Sequence, residues 1–315
     1  MDPHINFALA LAPEDGHRAL VEDAEIAEAL RHPDPAWLHL KADHPDTPDW
    51  VSDHLGWLDA ETRPRAARID EGLLVILRAV NLNPGAEPED MVAVRFWIDP
   101  ARIVSLSRRR LRSLEAVARQ IEGGQGPANA GALLAAVTEE ITERIETHLV
   151  DLDDRTEALE DIAICGPDAK LREDITDLRR EITELRRYIA PQRDALLNIM
   201  RSDVEWLTQQ DRRELHESHD RTVRAVEELD DMRDRLQLVR DELTNAMSER
   251  LNENLYLLSI ISAVFLPLGF LTGLMGINLG GMPGANSPYA FWIFTGGLVV
   301  LVIALMAFLR WRRWF

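Results

Sequence analysis

Residues 255–277 read LYLLSIISAVFLPLGFLTGLMGI, and residues 289–309 read YAFWIFTGGLVVLVIALMAFL. From Asn254 to Leu309 there is no Asp, Glu, Lys, Arg or His. As α-helices these 23 and 21 residues would rise about 34 Å and 31 Å, enough to cross a hydrocarbon core of about 30 Å. They are expected to be two membrane spans. Between them, 278–288 (NLGGMPGANSP) is rich in turn-forming residues and can continue neither helix, so the hairpin must turn at once. Arg250 precedes the first span and Arg310, Arg312 and Arg313 follow the second, which places both ends in the cytoplasm by the positive-inside rule. Trp311 and Trp314 suit one interfacial aromatic belt, and Tyr289 and Trp292 suit the other.

The first span carries a pattern beyond apolarity. Asn252, Leu255, Ser259, Ser262, Leu266, Gly269, Gly273 and Gly276 recur three and four apart, which sets small and polar groups along one helical stripe. Such a stripe either packs closely against a neighbouring helix or faces water. Pro267 lies within it and frees a backbone carbonyl, tolerable where neighbours or pore water satisfy it. A single hairpin cannot enclose a path, so conduction would require an oligomer.

The remainder of the 315 residues is a charged body. All 54 acidic and 32 of the 35 basic residues lie in 1–253, leaving that part at −22, while the last six residues carry +3. A body this acidic repels phosphate backbones, so no nucleic-acid partner is expected, and Arg108-Arg109-Arg110 reads as a solvated strand end. The single cysteine, Cys165, cannot form an internal disulfide and suits a reducing compartment. Residues 5–12 are apolar but short and lack a basic flank, unlike a signal peptide.

Upstream of the spans, Leu229, Met232, Leu236, Val239, Leu243 and Ala246 form a coiled-coil-like seam, and no Pro or Gly interrupts 211–266. The stalk is therefore expected to enter the membrane as one helix. An earlier seam, Ile175, Leu178, Ile182, Leu185 and Ile189, is expected to end before Pro191, and another helix covers 128–164. Packing within one chain is the simpler explanation of both seams; the later one would also suit identical partners. Short apolar or alternating runs at 37–40, 72–80, 91–98 and 103–107 predict strands, and 19–30, 48–58 and 111–122 predict helices. The expected organisation is a cytoplasmic α/β domain (1–125), a helical region (126–210), a stalk helix (211–253), the first span (254–277), an outer loop (278–288), the second span (289–309) and a basic tail (310–315).

No phosphate-binding Gly loop, Gly-x-Ser-x-Gly elbow, His-Glu-x-x-His or paired-Cys motif occurs, so neither an enzyme nor a cofactor is expected. His216 and His219, three apart on the stalk beside Glu217 and Asp220, are candidate metal ligands, although a solvated polar face explains them as well. His39, Asp43, His44, Asp46, Asp49 and His54 form a denser N-terminal group, read mainly as surface residues with His44-Pro45-Asp46 as a turn.

Gly276-Ile277-Asn278, the preceding Phe265-Leu266-Pro267-Leu268, and the order of body, stalk and hairpin resemble the CorA metal-ion transporter superfamily. Ile277 in place of the signature's central Met, the following Gly280-Gly281-Met282-Pro283-Gly284, and Trp37-Leu38-His39-Leu40 resemble its ZntB zinc-transporter branch. The resemblance implies an α+β membrane protein: a homopentameric funnel in a bacterial inner membrane that passes zinc or similar divalent cations. It places Gly276, Ile277 and Asn278 at the outer mouth, with Asn252, Leu255, Ser259, Ser262, Leu266 and Gly269 lining the pore. Leu255 and Leu266 become hydrophobic constrictions, and the second spans face lipid. Members of the zinc branch have been linked to proton-coupled uptake; here any proton step would need stalk or body residues such as His216, His219 or Glu253, or pore water. The alternatives are a magnesium, cobalt or nickel channel of the same superfamily, and a membrane-anchored coiled-coil scaffold without ion flux.

Overall fold

The computed structural model describes residues 2–11, 18–55, 63–69, 72–165, 169–276 and 287–311. These divide into two compact units, with the boundary between Asp241 and Glu242. The first unit begins with a mixed sheet. Its strands are β1 (Ile5–Ala10), β2 (Arg18–Ala19), β3 (Ala36–Lys41), β4 (Arg65–Ile69), β5 (Gly72–Ala79), β6 (Val92–Ile98) and β7 (Arg102–Ser107). They lie in the order β2-β1-β3-β7-β6-β5-β4, and β3 runs parallel to β7 while the other neighbours are antiparallel. Helices α1 (Asp23–Ala29) and α2 (Thr47–Leu55) flank β3 in the chain. Ile26 from α1 and Val51 from α2 join Leu38, Leu40, Val104 and Leu106 in one apolar cluster.

The predicted strands 37–40, 72–80, 91–98 and 103–107 correspond to β3, β5, β6 and β7. Three further strands lacked a comparable signal. β1 occupies the short apolar run at 5–12, and β4 is the polar edge run Arg-Ala-Ala-Arg-Ile. Two-residue β2 takes Ala19 out of the helix expected over 19–30; α1 begins only at Asp23, after a capping box between Glu22 and Glu25. The end of the helix expected over 48–58 lies outside the described residues.

Every residue from Ala36 to Leu40 is buried, so β3 must satisfy polar groups on both faces. His39 Nδ1 lies 2.9 Å from Ser105 Oγ, and its Nε2 lies 3.2 Å from Ser107 Oγ. Trp37 Nε1 donates to Ser105 Oγ at 2.8 Å. Burial pushes the His39 imidazole down to about 4, with the Ser105 contact opposing the shift. His39 is thus a neutral core histidine, held apart from its turn neighbours His44 and Asp46.

Four long or amphipathic helices follow: α3 (Arg112–Glu122), α4 (Ala130–Cys165), α5 (Ala169–Arg201) and α6 (Gln209–Gly276). α5 lies against β4 and β5, and α4 against β5. The expected stop before Pro191 does not occur, since α5 runs through it to Arg201. An interior Pro costs about 3 kcal/mol, but Ala195, Leu196 and Ile199 are buried beyond it, and burying the Leu196 and Ile199 side chains returns about 1.5–3 kcal/mol each. Gln192 adds a specific anchor: its Oε1 accepts from Arg78 N at 2.7 Å, beyond the last β4–β5 pair at Ile76.

Leu229, Met232, Leu236 and Val239 are buried within the single chain, as are Ile175, Leu178, Ile182, Leu185 and Ile189 of α5. Intrachain packing therefore accounts for this part of the α6 seam. Ion pairs set the helices side by side: Arg221 reaches Glu146 at 2.5 Å, Arg235 reaches Asp153 at 2.7 Å and Glu160 at 2.5 Å, Arg186 reaches Asp230 at 2.7 Å, and Arg155 reaches Glu181 at 2.7 Å. The Arg235 contact holds Glu160 below the usual carboxylate range, as Arg186 does for Asp230. Being partly exposed, such pairs contribute about 0–1 kcal/mol each, so they fix register while the apolar seam supplies most of the stability.

Leu236→Ala is expected to destabilise the first unit by about 2–5 kcal/mol, measured by denaturant unfolding, whereas Arg235→Met should cost about 1 kcal/mol or less. His39 adds a pH dependence of known sign. The unfolded imidazole protonates near 6.5 and the native one only near 4, so stability falls as pH drops through that interval, by about 3 kcal/mol in full. The stability gap between the parent and His39→Gln should therefore narrow between pH 7 and 4.5; a constant gap would contradict a neutral buried imidazole.

Candidate ion path

The second unit contains the end of α6 and helix α7 (Ala290–Trp311). Both α6 and α7 contain segments long and apolar enough to span a membrane. Helical geometry keeps the backbone bonded to itself, the condition for crossing hydrocarbon, while leucine, isoleucine, phenylalanine and valine clothe it in apolar side chains. Most of their side chains are outward-facing: Leu255 is 52% exposed and Leu266 71%, while Ile260 and Leu309 are buried. So much apolar surface cannot face water and demands lipid or further protein.

The expected stripe lies on this helix. Asn252, Leu255, Ser259, Leu266, Gly269, Gly273 and Gly276 are exposed and Ser262 is half-buried. A Cβ added at Gly269, Gly273 or Gly276 would meet nothing within 4 Å, so in the single chain these glycines leave open surface. The Ser259 hydroxyl donates to Leu255 O at 2.8 Å, and Thr272 Oγ1 donates to Leu268 O at 2.9 Å. With its proton turned back on the helix, Ser259 presents oxygen lone pairs, an arrangement suited to a cation or its water shell. α6 continues through Pro267, whose missing N–H leaves the Ala263 carbonyl without its helical donor. Ile277 and Asn278, with the loop through 286, lie outside the described residues, as do Arg312, Arg313 and Trp314. Gly276 is the last described residue of the proposed mouth.

The stalk histidines meet one carboxylate. His216 Nδ1 is 3.1 Å from Asp220 Oδ2, His219 Nδ1 is 3.2 Å from Asp220 Oδ1, and the two rings stand 6.1 Å apart, edge to face. Asp220 thus occupies both imidazoles with opposite oxygens. In the N-terminal group, His39 is withdrawn into the sheet, and His54 stacks on Trp50 at 4.2 Å with its Nδ1 2.8 Å from Trp50 O. His44 and Asp46 are instead joined by His4, which sequence proximity gave no reason to include.

The profile of the CorA-like Mg2+ transporter protein family matches residues 34–312. Divalent cation transporter CmaX of Pseudomonas aeruginosa is 36% identical over 288 residues, 87% of each chain. Zinc transport protein ZntB of Pectobacterium atrosepticum is 35% identical over 290 residues, 89% of this chain and 88% of that one. The solved structure of full-length CmaX matches with a TM-score of 0.83 and 33% identity, covering 99% of both chains. The CorA magnesium transporter from Methanocaldococcus jannaschii shares the fold, with a TM-score of 0.80 at 20% identity over 98% of both chains. Body, long helix and apolar pair thus recur together across these relatives, and the chain belongs to the CorA-like Mg2+ transporter protein family.

Proposed function

We propose that this chain carries zinc or similar divalent cations across a bacterial inner membrane, through a central pore formed by five copies. The observation that carries this reading is the open stripe from Asn252 to Gly276, an uncharged surface of amide, hydroxyl and glycine positions on a helix otherwise built for lipid. The relatives named as divalent cation and zinc transporters support the cargo.

Around a fivefold axis, Ser259 and Ser262 become rings of neutral oxygen, and Asn278 with Gly276 forms the outer mouth. Leu255 and Leu266 narrow the path without offering a ligand. Neutral dipoles replace the inner water shell of a doubly charged ion poorly, so the ion passes largely hydrated. Its attraction at the outer side rests on amide and carbonyl dipoles because 278–288 carries no charge, whereas the acidic body attracts it on the cytoplasmic side. Arg250 and Arg310 support cytoplasmic placement of both ends. With no Asp, Glu, Lys, Arg or His from Asn254 to Leu309, a proton coupled to the ion would move through pore water or groups such as Glu253, His216 and His219.

Magnesium, cobalt or nickel transport is the second reading, favoured by the family's description as a Mg2+ transporter. A scaffold role draws less support, since Leu229, Met232, Leu236 and Val239 are already covered within the chain and offer no free seam to a partner.

Purified protein in proteoliposomes should take up Zn2+ faster than Mg2+, and Asn278→Ala should lower uptake at least tenfold while the detergent-solubilised particle keeps the mass of five chains. Mg2+ uptake exceeding Zn2+ uptake would overturn the zinc assignment. Undiminished selective uptake by Asn278→Ala would remove Asn278 from the mouth.

A further inference from the structure

His4 is the residue just before β1, and the turn after β3 holds His44 and Asp46 at the entry to α2. Backbone pairing forces these distant pieces of sequence together. Lys41 N donates to His4 O at 2.8 Å, and Lys41 Nζ donates to Pro3 O at 2.8 Å, fixing the start of β1 beside the end of β3. Thr47 Oγ1 donates to Lys41 O at 2.6 Å and Thr47 N to His44 O at 3.1 Å, which closes the turn. The result is a set of one ring atom from His4, one from His44 and one carboxylate oxygen from Asp46, all within 4.8 Å of one another.

Hydrogen bonding singles out His4. The residue is 4% exposed, yet neither Nδ1 nor Nε2 has a hydrogen-bond partner among the described residues. A buried imidazole always presents at least one donor, and when neutral one acceptor too, so leaving both nitrogens idle carries a full desolvation penalty. His39, equally buried, shows the ordinary solution, with a serine hydroxyl at each nitrogen. His4 has no such serines. What lies beside it is the His44 ring at 5.9 Å, with the Trp50 ring at 6.4 Å closing one side.

The donor set matches a borderline metal ion. His44 Nδ1 and Asp46 Oδ2 are 3.5 Å apart, close to the separation of about 3.4 Å for two ligands at about 2.1 Å on a tetrahedral ion. His44 Nδ1 also accepts from Asp46 N at 3.3 Å, a long bond that coordination through Nδ1 would replace. Two imidazoles and one carboxylate suit zinc, cobalt or nickel rather than magnesium, which prefers oxygen alone. Asp46 is exposed and gives the ion a route from solvent, leaving a fourth position for water.

We propose that His4, His44 and Asp46 bind one zinc-type divalent ion per chain in the sheet domain, clipping the segment ahead of β1 to the turn between β3 and α2. The site is separate from the ion path and does not rest on the transport reading. Co2+ is the direct probe, because imidazole-ligated Co2+ absorbs in the visible. Full-length protein in detergent should show a saturable Co2+ band that Zn2+ abolishes and a tenfold excess of Mg2+ leaves in place. His44→Gln should lose the band and bind one Zn2+ fewer per chain. The exposed change Asp46→Asn should weaken Zn2+ at least tenfold without altering metal-free thermal unfolding, and Asn278→Ala should keep the band. Unchanged Zn2+ stoichiometry and affinity in both His44→Gln and Asp46→Asn, or loss of the band in Asn278→Ala instead, would overturn the site.

Discussion

A doubly charged ion cannot enter hydrocarbon, and neither can an unpaired peptide group; in the pore we propose, both penalties are met by the same short stretch of helix. The first span meets the backbone penalty by remaining helical through Pro267. It can meet the ionic one only by gathering copies of its polar stripe around water, because one hairpin has no interior. The absence of any Asp, Glu, Lys, Arg or His from Asn254 to Leu309 then determines the chemistry of passage. With only neutral oxygen and glycine available, the pore we propose would compete weakly with water for the ion, favouring movement of the hydrated species over tight binding.

The first unit solves a different problem, that of holding a strongly acidic chain compact. Its long helices bury aliphatic seams and place Arg221, Arg235, Arg186 and Arg155 against carboxylates of neighbouring helices. Self-repulsion is thereby reduced where helices touch, while the solvent faces remain acidic. The sheet contributes through β3, buried on both sides, where serines at 105 and 107 accommodate an imidazole that aliphatic packing alone could not.

Long uninterrupted patterns were the legible ones. The two apolar runs and the heptad seams gave the order of elements because each repeats over many residues, and Gly-Ile-Asn, three residues long, pointed to the family through its position between the two runs. Shorter signals failed for identifiable reasons. β4 is an edge strand whose Arg-Ala-Ala-Arg-Ile has no apolar alternation, so its pairing with β5 is a tertiary fact. Pro191 reads as a helix stop, but burial of Ala195, Leu196 and Ile199 and the Gln192 anchor outweigh the lost backbone bond. His4 was invisible as a partner of His44 because forty residues and a strand pairing separate them, whereas His39, adjacent in sequence, points into the core instead.

The orientation of the stripe is the central claim, and thiol accessibility tests it most directly. With Cys165 replaced by Ser, single cysteines at Ser259, Ser262 and Gly269, and at Val264, Leu268 and Leu271 on the opposite helical face, would be exposed in proteoliposomes to a small charged thiol reagent. A water-filled axis requires the first three positions to react at least tenfold faster than the second three, with divalent cations slowing them. Equal protection of both faces, or faster reaction at Val264, Leu268 and Leu271, would contradict it.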